Sequence, residues 1–180
     1  MDTNQQYAEQ IKLCKDIFIK KTTDYGTAWR VLRTISVIDQ IFIKAQRIKN
    51  LQENKIQLIV DDIESECRGI VNYGVIGLIQ LENIDTEIEE LPVAIVGELY
   101  DAKIKIAQDT MLNKNHDYGE AWRSMSQESF VDLILMKLLR VKQILTNDGK
   151  TLISEGIDAN YTDIINYAIF ALILQYQHKN

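Results

Sequence analysis

The stretch NHDYGEAWR, residues 115–123, repeats an earlier stretch of the same chain, TTDYGTAWR, residues 22–30. Both contain Asp-Tyr-Gly-x-Ala-Trp-Arg, and together they hold both tryptophans of the chain. The match continues on either side at a constant spacing, which pairs Tyr7 with Tyr100. Because the order of the matches is preserved, the chain is a tandem duplication, and its fold is one unit used twice.

The second half of each copy carries further repeated polar residues. These pairs are Lys44 with Lys137, Arg47 with Arg140 and, after one inserted residue, Asn72 with Asn166. The only proline, Pro92, lies in an acidic stretch between the copies, where it interrupts any helix. We therefore expect a first repeat over residues 1–91 and a second over residues 92–180, packed together as one globular unit.

The pattern of apolar residues predicts helices in each copy. Residues 5–21 place apolar side chains at helical spacing, and residues 37–52 carry a similar stripe. Residues 61–82 and 157–177 are apolar for longer than strands usually run, which favours helices buried against each other. The expected fold is all-α, a helical bundle of two repeats with three main helices and one short helix each, related by an approximate two-fold axis.

Composition limits the classes of function. The chain has 180 residues, 46% of them apolar, and a formal net charge of -6, so we expect no binding to bulk nucleic acid. Its apolar runs are shorter than a membrane span, and its first residues are polar. Its two cysteines favour neither a disulfide framework nor a zinc site. We expect a reduced, cytoplasmic protein that does not contact a membrane.

The repeated motif has two interpretations. Tyrosine rings can stack on a base and arginine can bind phosphate, so the motif predicts a binding site. The alternative is a packing corner, with tryptophan in the core, aspartate capping a short helical turn and arginine paired with an acid. We favour packing for Trp29 and Trp122 and binding for the Asp-Tyr pairs. The candidate binding residues are Asp24, Tyr25 and Arg30 in the first copy and Asp117, Tyr118 and Arg123 in the second.

The repeated basic pairs are candidate phosphate ligands. Lys44 and Arg47 are three residues apart and share a helix face, and so do Lys137 and Arg140. Arginine can bind phosphate oxygens in a bidentate way, whereas many basic pairs only form a solvated helix face. Retention of the pair in both copies gives the two interpretations equal weight.

The repeated asparagines and the acids near them form a further candidate site. Asn72 and Asn166 lie inside apolar runs, so each needs buried partners, either as a structural amide or within a site. Carboxylates on these helices would suit Mg²⁺, although acids at a helix start can simply complement the helix dipole. We favour the dipole for Asp62 and a functional role for Asp163. The candidate metal ligands are Asp62, Glu66, Asp158 and Asp163, and the candidate catalytic residues are Glu66 and Asp163.

The motifs together resemble the nucleotide modification associated domain 1 family. Its pattern is similar to Lys-x-x-Asp-Tyr-Gly-x-x-Trp, then Lys-x-x-Arg, then Asp-x-x-Asn-Tyr-Ala. The second copy carries it as Lys114, Asp117, Tyr118, Gly119, Trp122, Lys137, Arg140, Asp163, Asn166, Tyr167 and Ala168. The resemblance implies nucleotide metabolism or base modification. It also implies a helical layout similar to MazG-like nucleoside triphosphate pyrophosphohydrolases, which use carboxylate-bound Mg²⁺ to release pyrophosphate.

These implications define the expected partners and one alternative. The expected ligand is a nucleotide or another phosphorylated small molecule, with Mg²⁺ as the cofactor of a pyrophosphohydrolase. The chain departs from the family pattern at Gly69, Ile43 and Met136, where the resemblance implies acids. The alternative is therefore a non-catalytic nucleotide-binding or scaffold protein with a degenerate metal site. Apolar surface remaining on the long helices predicts a homodimer.

Overall fold

The computed structural model describes residues 2–54, 62–82 and 90–179. Those residues form six α-helices, two short 3₁₀ helices and no β-strand, which confirms the all-α prediction. The first copy contains α1 (Thr3–Tyr25), a 3₁₀ turn (Ala28–Val31), α2 (Thr34–Asn54) and α3 (Ile63–Glu82), and the second contains α4 (Val93–Tyr118), a 3₁₀ turn (Ala121–Ser124), α5 (Gln127–Thr146) and α6 (Ile157–Lys179). Within the described ranges, no helix has the length and hydropathy that crossing a bilayer requires.

The centre of the bundle is the contact between α3 and α6, the two most apolar helices. α2 packs against α3, α5 packs against α6, and α1 and α4 pack against both central helices. Two glycines of α3 let the central pair approach closely. A Cβ at Gly77 would lie 2.4 Å from the Tyr161 ring, and one at Gly74 would lie 2.6 Å from Ile165. Side chains of both copies thereby join one hydrophobic cluster.

The amide of Asn72, in α3, makes two buried hydrogen bonds. Its Nδ2 donates to the carbonyl oxygen of Cys14, in the same copy, at 3.0 Å. Its Oδ1 accepts from the hydroxyl of Tyr100, in the other copy, at 2.8 Å. This one side chain therefore joins α3 to α1 and to α4, across the boundary between the repeats.

Asn166, in α6, makes the same two contacts with the copies exchanged. Its Nδ2 donates to the carbonyl oxygen of Ala107 at 3.0 Å, and its Oδ1 accepts from the hydroxyl of Tyr7 at 2.8 Å. Ala107 is the counterpart of Cys14, and Tyr7 is the counterpart of Tyr100. These are the contacts that a two-fold relation between the copies produces. They support the interpretation of both asparagines as structural amides, since buried amides need partners.

The repeated glycine ends the first helix of each copy. Gly26 has φ 66° and ψ -152°, and Gly119 has φ 63° and ψ -162°, a backbone region open essentially to glycine alone. Asp24 and Asp117 lie before these glycines, in the last turns of α1 and α4. The prediction that these aspartates cap the short helices is therefore wrong, because the glycine turn separates them from the 3₁₀ segment.

Candidate functional site

A cleft of about 600 Å³ lies in the first copy, between the end of α1, the 3₁₀ turn, α2 and α3. We call it the first cleft. Its lining includes Tyr25, Gly26 and Trp29 from the repeated motif, Lys44 from α2, and Glu66, Asn72 and Tyr73 from α3. The structure thus brings together the glycine motif, one residue of the basic pair and the Asn-Tyr helix of this copy.

The buried part of the first cleft is apolar. Phe18 and Ile76 are buried, and Trp29 is half-buried beside them. The rings of Phe18 and Trp29 pack at a tilt, with their centroids 6.2 Å apart. The indole Nε1 of Trp29 is buried and has no hydrogen-bond partner among the described residues. The indole Nε1 of Trp122 is buried and unpartnered in the same way, so this feature does not distinguish the two clefts.

The charged lining of the first cleft is predominantly positive. Its charged side chains are Lys21, Lys44, Arg68 and Glu66. The Nζ of Lys44 lies 3.2 Å from the Glu66 carboxylate and 6.0 Å from the centroid of the Tyr73 ring. Lys21 is exposed, and the Nε of Arg68 is buried without a hydrogen-bond partner among the described residues. Such a lining attracts an anionic group.

The second copy has a cleft in the equivalent place, but of only about 130 Å³. We call it the second cleft. Eleven residues line it, and each is the counterpart of a residue that lines the first cleft. They include Tyr118, Gly119 and Trp122 of the motif, Lys114 of α4, and Asp163, Asn166 and Phe170 of α6. The two clefts are therefore two versions of one site, one open and one nearly filled.

Two side chains fill the second cleft. Phe170 stacks on Trp122, with ring centroids 4.2 Å apart and planes within 6°, whereas its counterpart in the first cleft is Ile76. Asp163 also points a carboxylate toward this space, and its counterpart is Gly69. The first copy thus lacks both a phenyl ring and a carboxylate that the second copy has at the same place.

Two lysines hold the buried carboxylate of Asp163. The Nζ of Lys114 lies 2.5 Å from it and the Nζ of Lys137 lies 2.6 Å from it. The side chain of Lys137 is only 8% exposed, so that half of the cluster is closed to solvent. Burial lowers the pKa of Lys114, but the hydrogen bond and the charge of Asp163 outweigh it, and the net shift is upward.

Glu66 contacts the basic pair of the first copy from one turn earlier in its helix. Its carboxylate bonds both Lys44 and Arg47. Gly69 leaves room for this arrangement, because a Cβ there would lie 2.8 Å from the Lys44 side chain. The acid has therefore moved by one helical turn between the copies, and the second copy has Asn160 at the position of Glu66.

The predicted metal ligands do not form one cluster. Asp62 is exposed, and its carboxylate accepts from the backbone N–H of Ser65 at 2.8 Å, as a cap of α3. Asp158 is exposed in the first turn of α6. Glu66 and Asp163 lie in different copies, each paired with two cations. Among the described residues, no group of three or more His, Cys, Asp or Glu could hold a metal, so these residues offer no carboxylate cage for Mg²⁺.

The tyrosines and aspartates of the motif differ in their placement. Tyr25 and Tyr118 line their clefts, with 73% and 75% of their surface exposed. Asp24 and Asp117 are exposed and line neither cleft. Arg140, predicted to bind phosphate beside Lys137, lines a separate cleft next to the loop that precedes α6.

The arginines of the motif lie outside both clefts. Arg123 donates to the hydroxyl of Thr3 at 2.6 Å and to the side-chain oxygen of Gln6 at 2.7 Å, both in α1. The backbone carbonyl of Arg30 accepts from Gln80 at 2.7 Å. These contacts favour the packing-corner interpretation for this part of the motif.

Ile76 and Phe170 were not among the predicted site residues, yet their difference in size accounts for much of the difference between the clefts. The signal is present in the sequence, because aligning the copies places isoleucine opposite phenylalanine. The effect of this difference on the cleft volume follows only once it is known that this helix position faces Trp29 or Trp122, and only the packed structure shows that.

Comparison with family models identifies the repeated unit. The model described as nucleotide modification associated domain 1 matches residues 21–81 and residues 114–174. The chain belongs to this family. Each nucleotide modification associated domain begins at the lysine before Asp-Tyr-Gly and contains most of the residues that line its cleft. Comparison with curated proteins gives no match, and comparison with solved structures gives none either.

Proposed function

We propose that the protein binds a nucleotide in the first cleft. The observation that carries the proposal is the combination of an apolar aromatic interior with a cationic edge in one cleft of about 600 Å³. This volume lies within the range of roughly 300–1,000 Å³ that is usual for small-molecule sites. The membership in a family named for nucleotide modification supports the same ligand class.

The interior of the cleft suits the base. Phe18 and Trp29 offer ring surfaces, and stacking of a base on an aromatic side chain contributes about 1–3 kcal/mol. Tyr25, exposed at the edge of the same cleft, supplies a third ring that can close over a bound ligand.

The edge of the cleft suits phosphate. No described residue forms an ion pair with Lys21, and Lys44 shares its carboxylate partner, Glu66, with Arg47. Arg68 is paired with Glu64, so four cations face the two acids that pair with them, and the remaining positive charge favours an anionic ligand. In the second cleft, Lys114 and Lys137 are both bonded to Asp163, so we assign the nucleotide to the first cleft.

Pyrophosphate release from a nucleoside triphosphate is the second candidate function, because the resemblance of the sequence motifs implies it. Such a reaction would need carboxylates free to hold Mg²⁺, whereas Glu66 and Asp163 are each paired with two cations. We therefore assign no hydrolytic step to the described residues.

A binding screen on the full chain tests the proposal. Nucleoside mono- and triphosphates, with ribose or deoxyribose, are added during thermal unfolding, with and without Mg²⁺. A ligand at 100 times its Kd stabilises the folded state by about 2.7 kcal/mol. We expect Tyr25→Ala to weaken binding and the matched variant Tyr118→Ala to leave it unchanged. Absence of any shift across the panel would overturn the proposal, and pyrophosphate in the same mixtures would favour the hydrolase.

A further inference from the structure

A third cleft, of about 660 Å³, lies between the end of α5, the loop 147–156 and the start of α6. We propose that it binds a phosphate monoester that also carries hydroxyl groups, such as a sugar phosphate. The polar residues that would form this site are Arg140, Asn147, Lys150, Ser154 and Asn160. The proposal is independent of nucleotide binding in the first cleft, because the two clefts share no lining residue.

Arg140, in the third cleft, lacks the acid that its counterpart in the first copy has. In the first copy, Arg47 is neutralised by Glu66. In the second copy, the corresponding residues are Arg140 and Asn160, so an amide replaces the carboxylate. No described residue forms an ion pair with Arg140 or Lys150, although exposed Glu155 also lines the cleft. A dianionic phosphate monoester would supply the missing negative charge.

The amide of Asn160 points to the second feature of the ligand. The residue is only 3% exposed, and its Nδ2 donates to the carbonyl oxygen of Gly156 at 2.7 Å. Its Oδ1 is buried and has no partner among the described residues. An unsatisfied buried acceptor is costly, so a turn of the Asn160 side chain that brings Oδ1 to a ligand hydroxyl in the cleft would complete this site.

The third cleft differs from the first in the portion of a ligand that it can recognise. No aromatic side chain is among its described lining residues, so it offers no surface on which a base can stack. Its polar groups can recognise a phosphate and a sugar. A sugar phosphate without a base is therefore the probe that separates the two sites.

Calorimetric titration of the full chain tests the proposal with ribose 5-phosphate, inorganic phosphate and ribose. We expect ribose 5-phosphate to bind more tightly than inorganic phosphate, and ribose not to bind. Arg140→Gln should weaken ribose 5-phosphate binding at least tenfold. Arg33→Gln is the matched control, since Arg33 is exposed and lines none of the three clefts. Equal affinity for phosphate and ribose 5-phosphate would overturn the role of Asn160.

A second variant restores the charge pattern of the first copy. Asn160→Asp places a carboxylate in the cleft that Arg140 also lines, and it should abolish binding of ribose 5-phosphate while urea unfolding stays cooperative. Ile76→Phe, which fills the first cleft, should leave this binding unchanged even where it abolishes nucleotide binding. If ribose 5-phosphate does not bind at millimolar concentration, or its binding survives both Arg140→Gln and Asn160→Asp, the proposal is wrong.

Discussion

The first cleft encloses about 600 Å³ and the second about 130 Å³, although equivalent positions surround both. The backbone turn is the same, since Gly26 and Gly119 share one unusual conformation. The difference lies in side chains that project into the space, chiefly Ile76 against Phe170. The two copies therefore share the framework of the site and differ in how far side chains fill it.

The charged residues beside the two clefts also differ between the copies. In the second copy, Lys137 and Asp163 form a buried pair, with side chains 8% and 6% exposed. In the first copy, the side chain of Lys44 is 27% exposed beside Glu66. In the second copy, the charged side chains thus form a buried ion pair. In the first copy, a lysine remains partly exposed at the edge of an open cleft. The hydrogen bonds of the two asparagines between the copies did not diverge, because each asparagine retains an equivalent tyrosine partner.

The largest expected difference between the copies is the effect of removing the acid. Asp163→Asn leaves Lys137 buried without a carboxylate, and we expect a loss of about 3–5 kcal/mol in the free energy of unfolding. Glu66→Gln leaves Lys44 and Arg47, which can turn toward water, and we expect a loss of about 1.5–3 kcal/mol. Urea unfolding measures both. Equal losses would show that the two clusters are equivalent.

The hydrogen bonds between the copies should give equal effects instead. Tyr7→Phe removes the donor to Asn166, and Tyr100→Phe removes the donor to Asn72. Each leaves a buried amide oxygen unsatisfied, so we expect each variant to lose about 1–3 kcal/mol of unfolding free energy. Unfolding curves of the two variants should superimpose. A loss in only one of them would mean that the copies are not related at this interface as the structure describes.

Exchanging the residues at the cleft position tests the difference in volume directly. Ile76→Phe fills the first cleft as Phe170 fills the second, and we expect the Kd for nucleotide to rise at least tenfold, about 1.4 kcal/mol. The reciprocal variant, Phe170→Ile, opens space beside Trp122. It should not add a second bound nucleotide, because Lys114 stays paired with Asp163. Titration calorimetry gives both affinity and stoichiometry, and an unchanged Kd in Ile76→Phe would exclude the first cleft as the site.

The fold could be predicted because its signals are local or repeated. Helical spacing of apolar residues predicted a helix over residues 5–21, and α1 spans Thr3–Tyr25. The role of Asp24 was mistaken because a glycine turn ends α1 directly after Asp-Tyr. Whether Asp-Tyr-Gly ends one helix or begins the next depends on the backbone conformation of the glycine. The residue types alone do not determine that conformation.

The site could be predicted only in its residue types. The apolar run around Asn166 predicts a buried amide. It does not identify the partner, Tyr7, which lies 159 positions away in the chain. The sequence pattern predicts Asp163 as a metal ligand, whereas in the structure its carboxylate is paired with two lysines from other helices. Such pairings depend on how three helices pack together, and a chemical pattern along one helix is compatible with several of them.

The smallest expected effect concerns the exposed lysine of each cleft. Lys114 is 47% exposed and pairs with Asp163, so screening by water limits the contribution of this pair to about 0.2–1 kcal/mol. Lys114→Gln should lower unfolding free energy by that amount at neutral pH, whereas Lys21→Gln, at the counterpart position, should have no measurable effect. The folded state raises the pKa of Lys114, so its contribution is complete below the unfolded pKa and is lost as pH rises through the folded value. The difference between wild type and Lys114→Gln should therefore persist through mildly alkaline pH and shrink only above the ordinary lysine pKa of about 10.4. Urea unfolding across this range measures it, and a difference that shrinks on acidification to pH 6 instead would mean that a group other than Lys114 titrates.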